Sequence, residues 1–326
     1  MMKILIIKLG ALGDVVRTLS ILPAIKERYP ESEIYWITKP NAKEIFENNP
    51  DIKKLLTIPC NVPEEFDILY NFDIEEDATK LAQEIKAKEK YGFYSENNYP
   101  AAFNISAEYY LNTLFDDELK KSNIKTYQEM MFEAAQLEYK QQMPVLYFSE
   151  KDKNYAEDFI KKNNINPENL IGIHMGASDR WPSKAWSNEK IKDFVKKAKQ
   201  KNYNILLFGG PNEKQRQEKL ISELKKENIN VYSNNPNNSI REFISLLNEC
   251  EKVICSDSFA LHIALALKKP TIGLFFCTSP NEVEGYHLLK KIVSGMACDF
   301  FPEKMDQYSE ELVNSISSEE VIEALE

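Results

Sequence analysis

The sequence predicts an α/β protein built from two halves, each a mostly parallel sheet with helices on both faces. Three observations lead there. At 326 residues the chain is longer than one ordinary domain and suits two of average size. A hydrophobic share of 43%, with 17 Phe and 16 Tyr, supplies core material and excludes disordered and fibrous classes. Short β-branched apolar runs also alternate with segments of helical spacing, twice over, as in parallel sheets buried on both faces.

In the first series, residues 3–9 read as a buried strand that ends at Gly10. Val15, Val16, Leu19, Leu22 and Ile25 then keep helical spacing, predicting one helix that stops at Tyr29-Pro30, where proline forbids continuation. Strands are predicted over 33–38, 54–58 and 66–72, with a helix over 42–48 and a charged helix over 78–90. Residues 91–139 are helix-rich without a clear period. The polar segment 149–154 reads as the joint, giving domains 1–150 and 151–326. Beyond it, strands are predicted over 170–174, 204–208, 229–232, 252–255 and 270–276. Helices are predicted over 188–200, 212–227, 240–250 and 258–267. Two such series are expected to form two Rossmann-like domains facing each other across a cleft.

Charge and cysteine usage narrow the function. The 41 basic and 51 acidic residues give a net charge of −10, the wrong balance for a general nucleic-acid binder. Five scattered cysteines (Cys60, Cys250, Cys255, Cys277, Cys298) show neither zinc-ligand spacing nor a disulfide framework, which suits a reducing compartment. No apolar run is long enough to cross a bilayer, and the start shows no signal-peptide pattern, so a cytoplasmic location is expected.

Glycine is scarce, ten residues where about 7% is usual, so its placement is informative. Five of the ten (Gly10, Gly13, Gly176, Gly209, Gly210) fall at three strand-to-helix turns, where ligands of parallel sheets bind. The first turn is neither G-x-G-x-x-G nor G-x-x-x-x-G-K-[ST], which argues against a dehydrogenase and a P-loop kinase. Asp14 there is either a first-turn carboxylate serving the helix or a general base. The turn from Met175 to Ser187 carries Arg180, Lys184, Trp181 and Trp186. A cation beside a helix N-terminus suggests an anion as third party, so Lys184 reads as a ligand group or else as a solvated cation, and Trp186 as a core anchor. Asp257 is a helix cap or a site residue, and His262 a packing residue or part of the same site.

Taken together the segments resemble glycosyltransferase family 9, the ADP-heptose:lipopolysaccharide heptosyltransferases and their relatives. Gly10-Ala-Leu-Gly13-Asp14, with Thr18 and Pro23 following, is similar to the family's G-x-x-G-D helix start, and Phe66 to Asp73 and Lys90-Tyr91-Gly92-Phe93 resemble its first domain. His174-Met-Gly176-Ala177 with Lys184-x-Trp186 looks like G-A…K-x-W, and Phe208-Gly209-Gly210-Pro211-Asn212-Glu213 like G-G-P-x-E. Asp257-Ser258-Phe259-Ala260-Leu261-His262 is similar to D-T-G-x-x-H, with Ser258 for threonine and Phe259 for glycine, a side chain that would narrow the donor pocket. The family's cysteine-rich C-terminal segment is reduced to the stretch from Cys298 to Pro302, and residues 315–325 resemble its closing helix, expected to pack back on the first domain.

The resemblance implies a GT-B architecture, an acceptor-binding first domain and a donor-binding second. It implies an inverting transferase that moves heptose from ADP-heptose to a lipopolysaccharide core or related glycan. In that reading Asp14 is the base and Lys184 balances phosphate charge. Gly13, Gly176, Gly210, Glu213, Asp257, Ser258, Phe259, Ala260 and His262 contact the donor, with Glu213 on the ribose. The chain has no D-x-D pair, so no metal or other cofactor is expected. The expected partners are the nucleotide sugar and a glycolipid or oligosaccharide acceptor. Peripheral contact with the inner membrane and a monomeric state are expected as well. A UDP- or GDP-hexose transferase, a silent nucleotide-sugar binder and a Rossmann oxidoreductase are the alternatives. Lys80, Lys86, Lys88 and Lys90 read either as contacts for acceptor anions or as a solvated face.

Overall fold

The computed structural model describes residues 1–178 and 180–325, so Asp179 of the long turn and Glu326 of the second domain lie outside the described residues. The chain divides into two compact units, Met1–Tyr147 with Asn281–Glu284, and Phe148–Pro280 with Gly285–Glu326.

The first unit holds β1 (Lys3–Ile7), β2 (Glu33–Thr38), β3 (Ile52–Thr57), β4 (Phe66–Asn71), β5 (Ala87–Glu96) and β6 (Tyr99–Ala102). Their order is β3-β2-β1-β4-β5-β6, parallel except for the β5–β6 pair. The second unit holds β7 (Leu170–His174), β8 (Asn204–Phe208), β9 (Tyr232–Ser233), β10 (Lys252–Ser256), β11 (Thr271–Phe275) and β12 (Leu289–Val293). Its order, β12-β11-β10-β7-β8-β9, is the same winding, parallel throughout. Each is the doubly wound order of a Rossmann domain, with the strand order reversing beside its first strand. That reversal opens a crevice between β1 and β4 in one unit and between β7 and β10 in the other.

Sequence dictates these elements locally. Helix Asn188–Gln200 places Ile191, Phe194, Val195 and Ala198 on one face, all buried, and Ser187 caps it by accepting the Lys190 N–H. Ile191, Phe194 and Val195 each stabilise by about 1.5–3 kcal/mol when fully buried. The first unit's core is built the same way, from Leu5, Ile7, Tyr35, Ile37, Phe66 and Leu69 with Ala78 and Ala82 of helix Glu76–Glu84.

The structure departs from the expected elements in several places. The helix expected to end at Tyr29 is two, Leu12–Thr18 and Ile21–Arg28. Pro23 has no N–H and its ring excludes the carbonyl four residues back, so it fits only a fresh first turn. Residues 40–46 form a 3₁₀ rather than an α-helix. Helix Glu76–Glu84 stops short of Lys86, Lys88 and Lys90, the last two of which lie on β5. The polar segment 149–154 is no linker but the start of helix Glu150–Lys162, with Ser149 and Asp152 forming a capping box. A further strand, β12, follows the one expected to be last. The closing helix Ser318–Leu325 buries Val321, Ile322 and Leu325 in the second unit's own core, correcting the expected return to the first domain. Phe194 and Val195 there supply the apolar face it needs.

Candidate functional site

In the first unit, β1 runs out at Ile7 and the chain turns through Gly10 into helix Leu12–Thr18. Lys8 is buried, and its ammonium meets Asp73 Oδ2 at 3.3 Å and donates to the Phe72 carbonyl at 3.0 Å. The same carboxylate accepts the Leu9 N–H (2.9 Å) and Gly10 N–H (2.5 Å), while Oδ1 accepts Glu75 N–H (2.9 Å). Burial alone would raise the Asp73 carboxyl, but Lys8 and the three N–H donors outweigh it and hold it below the usual range. Burial likewise opposes the Lys8 charge, yet Asp73 pushes its pKa up. A Cβ on Gly10 would lie 3.0 Å from both Asp73 Oδ2 and Lys8 Nζ, so any side chain there would press on the pair. This pair folds the turn that presents Asp14.

Asp14 lies in the first helical turn, behind buried Gly13. Its Oδ1 meets Arg17 Nη2 at 2.8 Å, and a third of its side chain is exposed. Thus the helix-serving carboxylate and the reactive carboxylate are compatible in one residue.

In the second unit the crevice between β7 and β10 gathers the predicted residues into two groups. Lys184 is not solvated: its ammonium lies 3.1 Å from Asp257 Oδ2. His262 Nε2 lies 3.9 Å from Asp257 Oδ1. Asp257 is therefore not the cap of helix Phe259–Ala266. Ser258 holds that position, and its hydroxyl is buried with no hydrogen-bond partner in the structure. An unpaired buried hydroxyl at a helix N-terminus, one residue after the carboxylate that holds an ammonium, suits an anion. Ala260 is buried in the same helix.

The second group is built on the β7 and β8 turns. Glu213 accepts the Gly210 N–H at 2.9 Å, and a Cβ on Gly176 would fall 2.9 Å from the Glu213 carboxyl carbon. Both turns thus approach one carboxylate through backbone without side chains. Phe259 does not stand alone at its turn: it stacks on Phe243 at 5.8 Å, and Phe243 also packs edge-on against Phe208 and His174. Burial lowers the His174 imidazole to about 4, so it is neutral near pH 7. Trp186 is the expected core anchor, buried, with its indole N–H donating to the Ile316 carbonyl at 3.0 Å.

The lysines 80, 86, 88 and 90 form no open cationic patch. Lys80 pairs with Glu76, Lys86 with Glu65 and Lys88 with Asp67, while Lys90 donates to the Ala82 and Gln83 carbonyls. Among the described residues no group of three His, Cys, Asp or Glu side chains is placed to hold a metal ion. Nor is any helix among them long and apolar enough to cross a membrane.

Comparison with known proteins fits this geometry. The profile of glycosyltransferase family 9 (heptosyltransferase) matches residues 62–313, most of the chain. The chain belongs to glycosyltransferase family 9. Lipopolysaccharide heptosyltransferase 1 of Campylobacter coli is 27% identical over 303 residues, covering 85% of this chain and 84% of that protein. Lipopolysaccharide core heptosyltransferase OpsX of Haemophilus influenzae is 23% identical over 305 residues, covering 89% and 83%. Among solved structures, a family 9 glycosyltransferase from Veillonella parvula superposes with a TM-score of 0.77 at 17% identity, covering 99% of this chain and 95% of that one. ADP-heptose lipopolysaccharide heptosyltransferase II of E. coli gives 0.69 at 18% identity, covering 99% and 97%. These likenesses establish the GT-B fold.

Membership makes the protein a glycosyltransferase and removes the oxidoreductase alternative. The family profile covers the whole Lys184–Asp257–His262 and Gly176–Gly210–Glu213 region but begins after Asp14. Sequence reasoning missed Lys8, Arg17 and Arg216. Arg216 donates to the Met175 carbonyl at 2.7 Å and to Asn188 at 2.5 Å, and also meets the Trp186 carbonyl, tying the long turn down. A charged residue interrupting an apolar strand run, as Lys8 does, was the one available signal.

Proposed function

We propose that this family 9 enzyme transfers heptose from ADP-heptose to a lipopolysaccharide core acceptor, with inversion and without a metal ion. The observation that carries the reading is the second unit's anion site: Lys184 paired with Asp257 beside the unpartnered Ser258 hydroxyl at a helix N-terminus. Supporting it, the curated relatives are named as lipopolysaccharide heptosyltransferases.

In this reading the acceptor hydroxyl attacks the anomeric carbon and gives its proton to Asp14, while the bond from that carbon to the diphosphate oxygen breaks. The electron pair leaves with ADP. Lys184, Ser258 and the N–H groups opening helix Phe259–Ala266 take up the developing phosphate charge, the work a metal would otherwise do. His262 orients Asp257, Gly176 and Gly210 let the nucleotide approach backbone, and Glu213 receives the ribose hydroxyls. The absence of any D-x-D pair supports the metal-free step. The acceptor is assigned to the first unit of a cytoplasmic, monomeric enzyme that meets the inner membrane peripherally. Asp14→Asn should lower transfer by about 10²–10⁴-fold while ADP binding persists. Unchanged transfer to heptose-deficient lipopolysaccharide would remove Asp14 from the chemistry.

A further inference from the structure

Asp14 closes a circuit with Arg17, Tyr127 and Thr18, in which Arg17 holds the carboxylate. Arg17 Nη2 meets Asp14 Oδ1 at 2.8 Å, one helical turn on. The Arg17 guanidinium carbon lies 3.6 Å from the centroid of the Tyr127 ring, close cation–π contact. Tyr127 is buried, and its hydroxyl shares a 2.9 Å hydrogen bond with Thr18 Oγ1, which in turn donates to the Asp14 carbonyl at 2.6 Å. Helix Tyr127–Ala134 is itself fixed by the Thr126–Glu129 capping box, and the Tyr127 N–H donates to the Glu282 carbonyl at 3.0 Å. Arg17 Nε is buried without a hydrogen-bond partner in the structure, so the ring face and Asp14 hold the guanidinium.

We infer that Arg17, clamped on Tyr127, is a positioning residue for Asp14: it fixes the carboxylate's orientation and keeps it ionised throughout the working pH range. The inference rests on the reading of Asp14 as the base. The groups facing the pair are Lys8 from the end of β1, Tyr110 from helix Ile105–Phe115, Tyr127, and Glu282. Lys8 is itself paired with Asp73 at 3.3 Å and Glu282 faces Arg17, so the contact that favours the ionised form is the 2.8 Å one from Arg17 to Asp14. Burial opposes the Arg17 charge but Asp14 more than restores it, raising its pKa. A cation beside a base lowers its proton affinity. For an attacking hydroxyl that sheds its proton only as the new bond forms, secure ionisation and aim count for more than basic strength.

The test is a ¹³C titration of the Asp14 carboxyl together with the pH dependence of kcat/KM, using ADP-heptose and heptose-deficient lipopolysaccharide. In wild type the Asp14 midpoint should lie below the ordinary carboxylate value, because the adjacent guanidinium favours the charged form. In Arg17→Gln both that midpoint and the acid limb of kcat/KM should move up by about one to two pH units. Arg17→Lys, which keeps the charge, should return the acid limb towards wild type. A merely structural Arg17 would move the carboxyl midpoint but leave the acid limb of kcat/KM in place. A wild-type midpoint at or above the ordinary value, or an Arg17→Gln protein whose midpoint or acid limb stays put, overturns the inference, and the wild-type measurement decides even if Arg17→Gln fails to fold. Retained transfer by Asp14→Asn would instead defeat the base reading, while the carboxyl titration would still report the Arg17–Asp14 coupling.

Discussion

The two sheets wind identically, and each brings a lysine from beyond its first strand to an aspartate from beyond its fourth. The outcomes differ. Lys8 and Asp73 are 5% and 3% exposed, and Asp73 is filled by three backbone N–H donors. Lys184 and Asp257 are 13% and 17% exposed and lie next to an unpartnered hydroxyl. One topological position is thus a buried staple in the first unit and a more exposed charge pair in the second. Winding tells where to look; under the proposed function, burial separates the pair that serves architecture from the pair that serves chemistry.

The largest effect that sharpens this contrast is Asp73→Ala. It leaves an ammonium buried and unpaired and should remove about 3–5 kcal/mol from the first unit's stability, read by denaturant unfolding. Because Asp73 is held below its unfolded value, the wild-type contribution is present above about pH 4 and disappears as pH falls through the folded value. Asp73→Ala should not show that component. Next, Lys184→Met should slow transfer by about 10²–10³-fold, the usual effect of losing one charge-stabilising donor, with an unfolding midpoint close to wild type. A loss of stability on the scale of Asp73→Ala would erase the distinction between the two pairs. The smallest is Gly176→Ala. The added Cβ displaces the flexible Glu213 carboxylate rather than backbone, so folding should survive and ADP affinity fall roughly 2–10-fold, the worth of one hydrogen bond. Unchanged affinity in calorimetry would detach Glu213 from the nucleotide.

What the sequence made legible was local. Helix Asn188–Gln200 has its cap at Ser187 and its apolar stripe within thirteen residues, and strand β8 is a single apolar run closed by glycines. Lys86 to Lys90 misled because β6 pairs only with residues 93–96, leaving the start of β5 with one neighbour and a charged surface that imitates a helix. Ser149 to Asn154 misled because the partner that buries Asp152 is Arg241, 2.5 Å away but 89 positions on. The same holds at the site. Gly176, Gly210 and Glu213, or Asp257 to His262, could be marked from turns and spacing, whereas Asp73 on Lys8 and Tyr127 under Arg17 are separated by 65 and over a hundred positions. No window along the chain joins them.

Asn281–Glu284 belongs with the first unit although the chain around it belongs to the second. There the Glu282 carbonyl takes the Tyr127 N–H and Glu284 takes the Tyr139 hydroxyl at 2.8 Å. No single cut can therefore separate the halves into two finished pieces. During synthesis, too, the N-terminal lobe leaves the ribosome lacking its last four residues, and it completes its packing only when most of its sibling has already been translated.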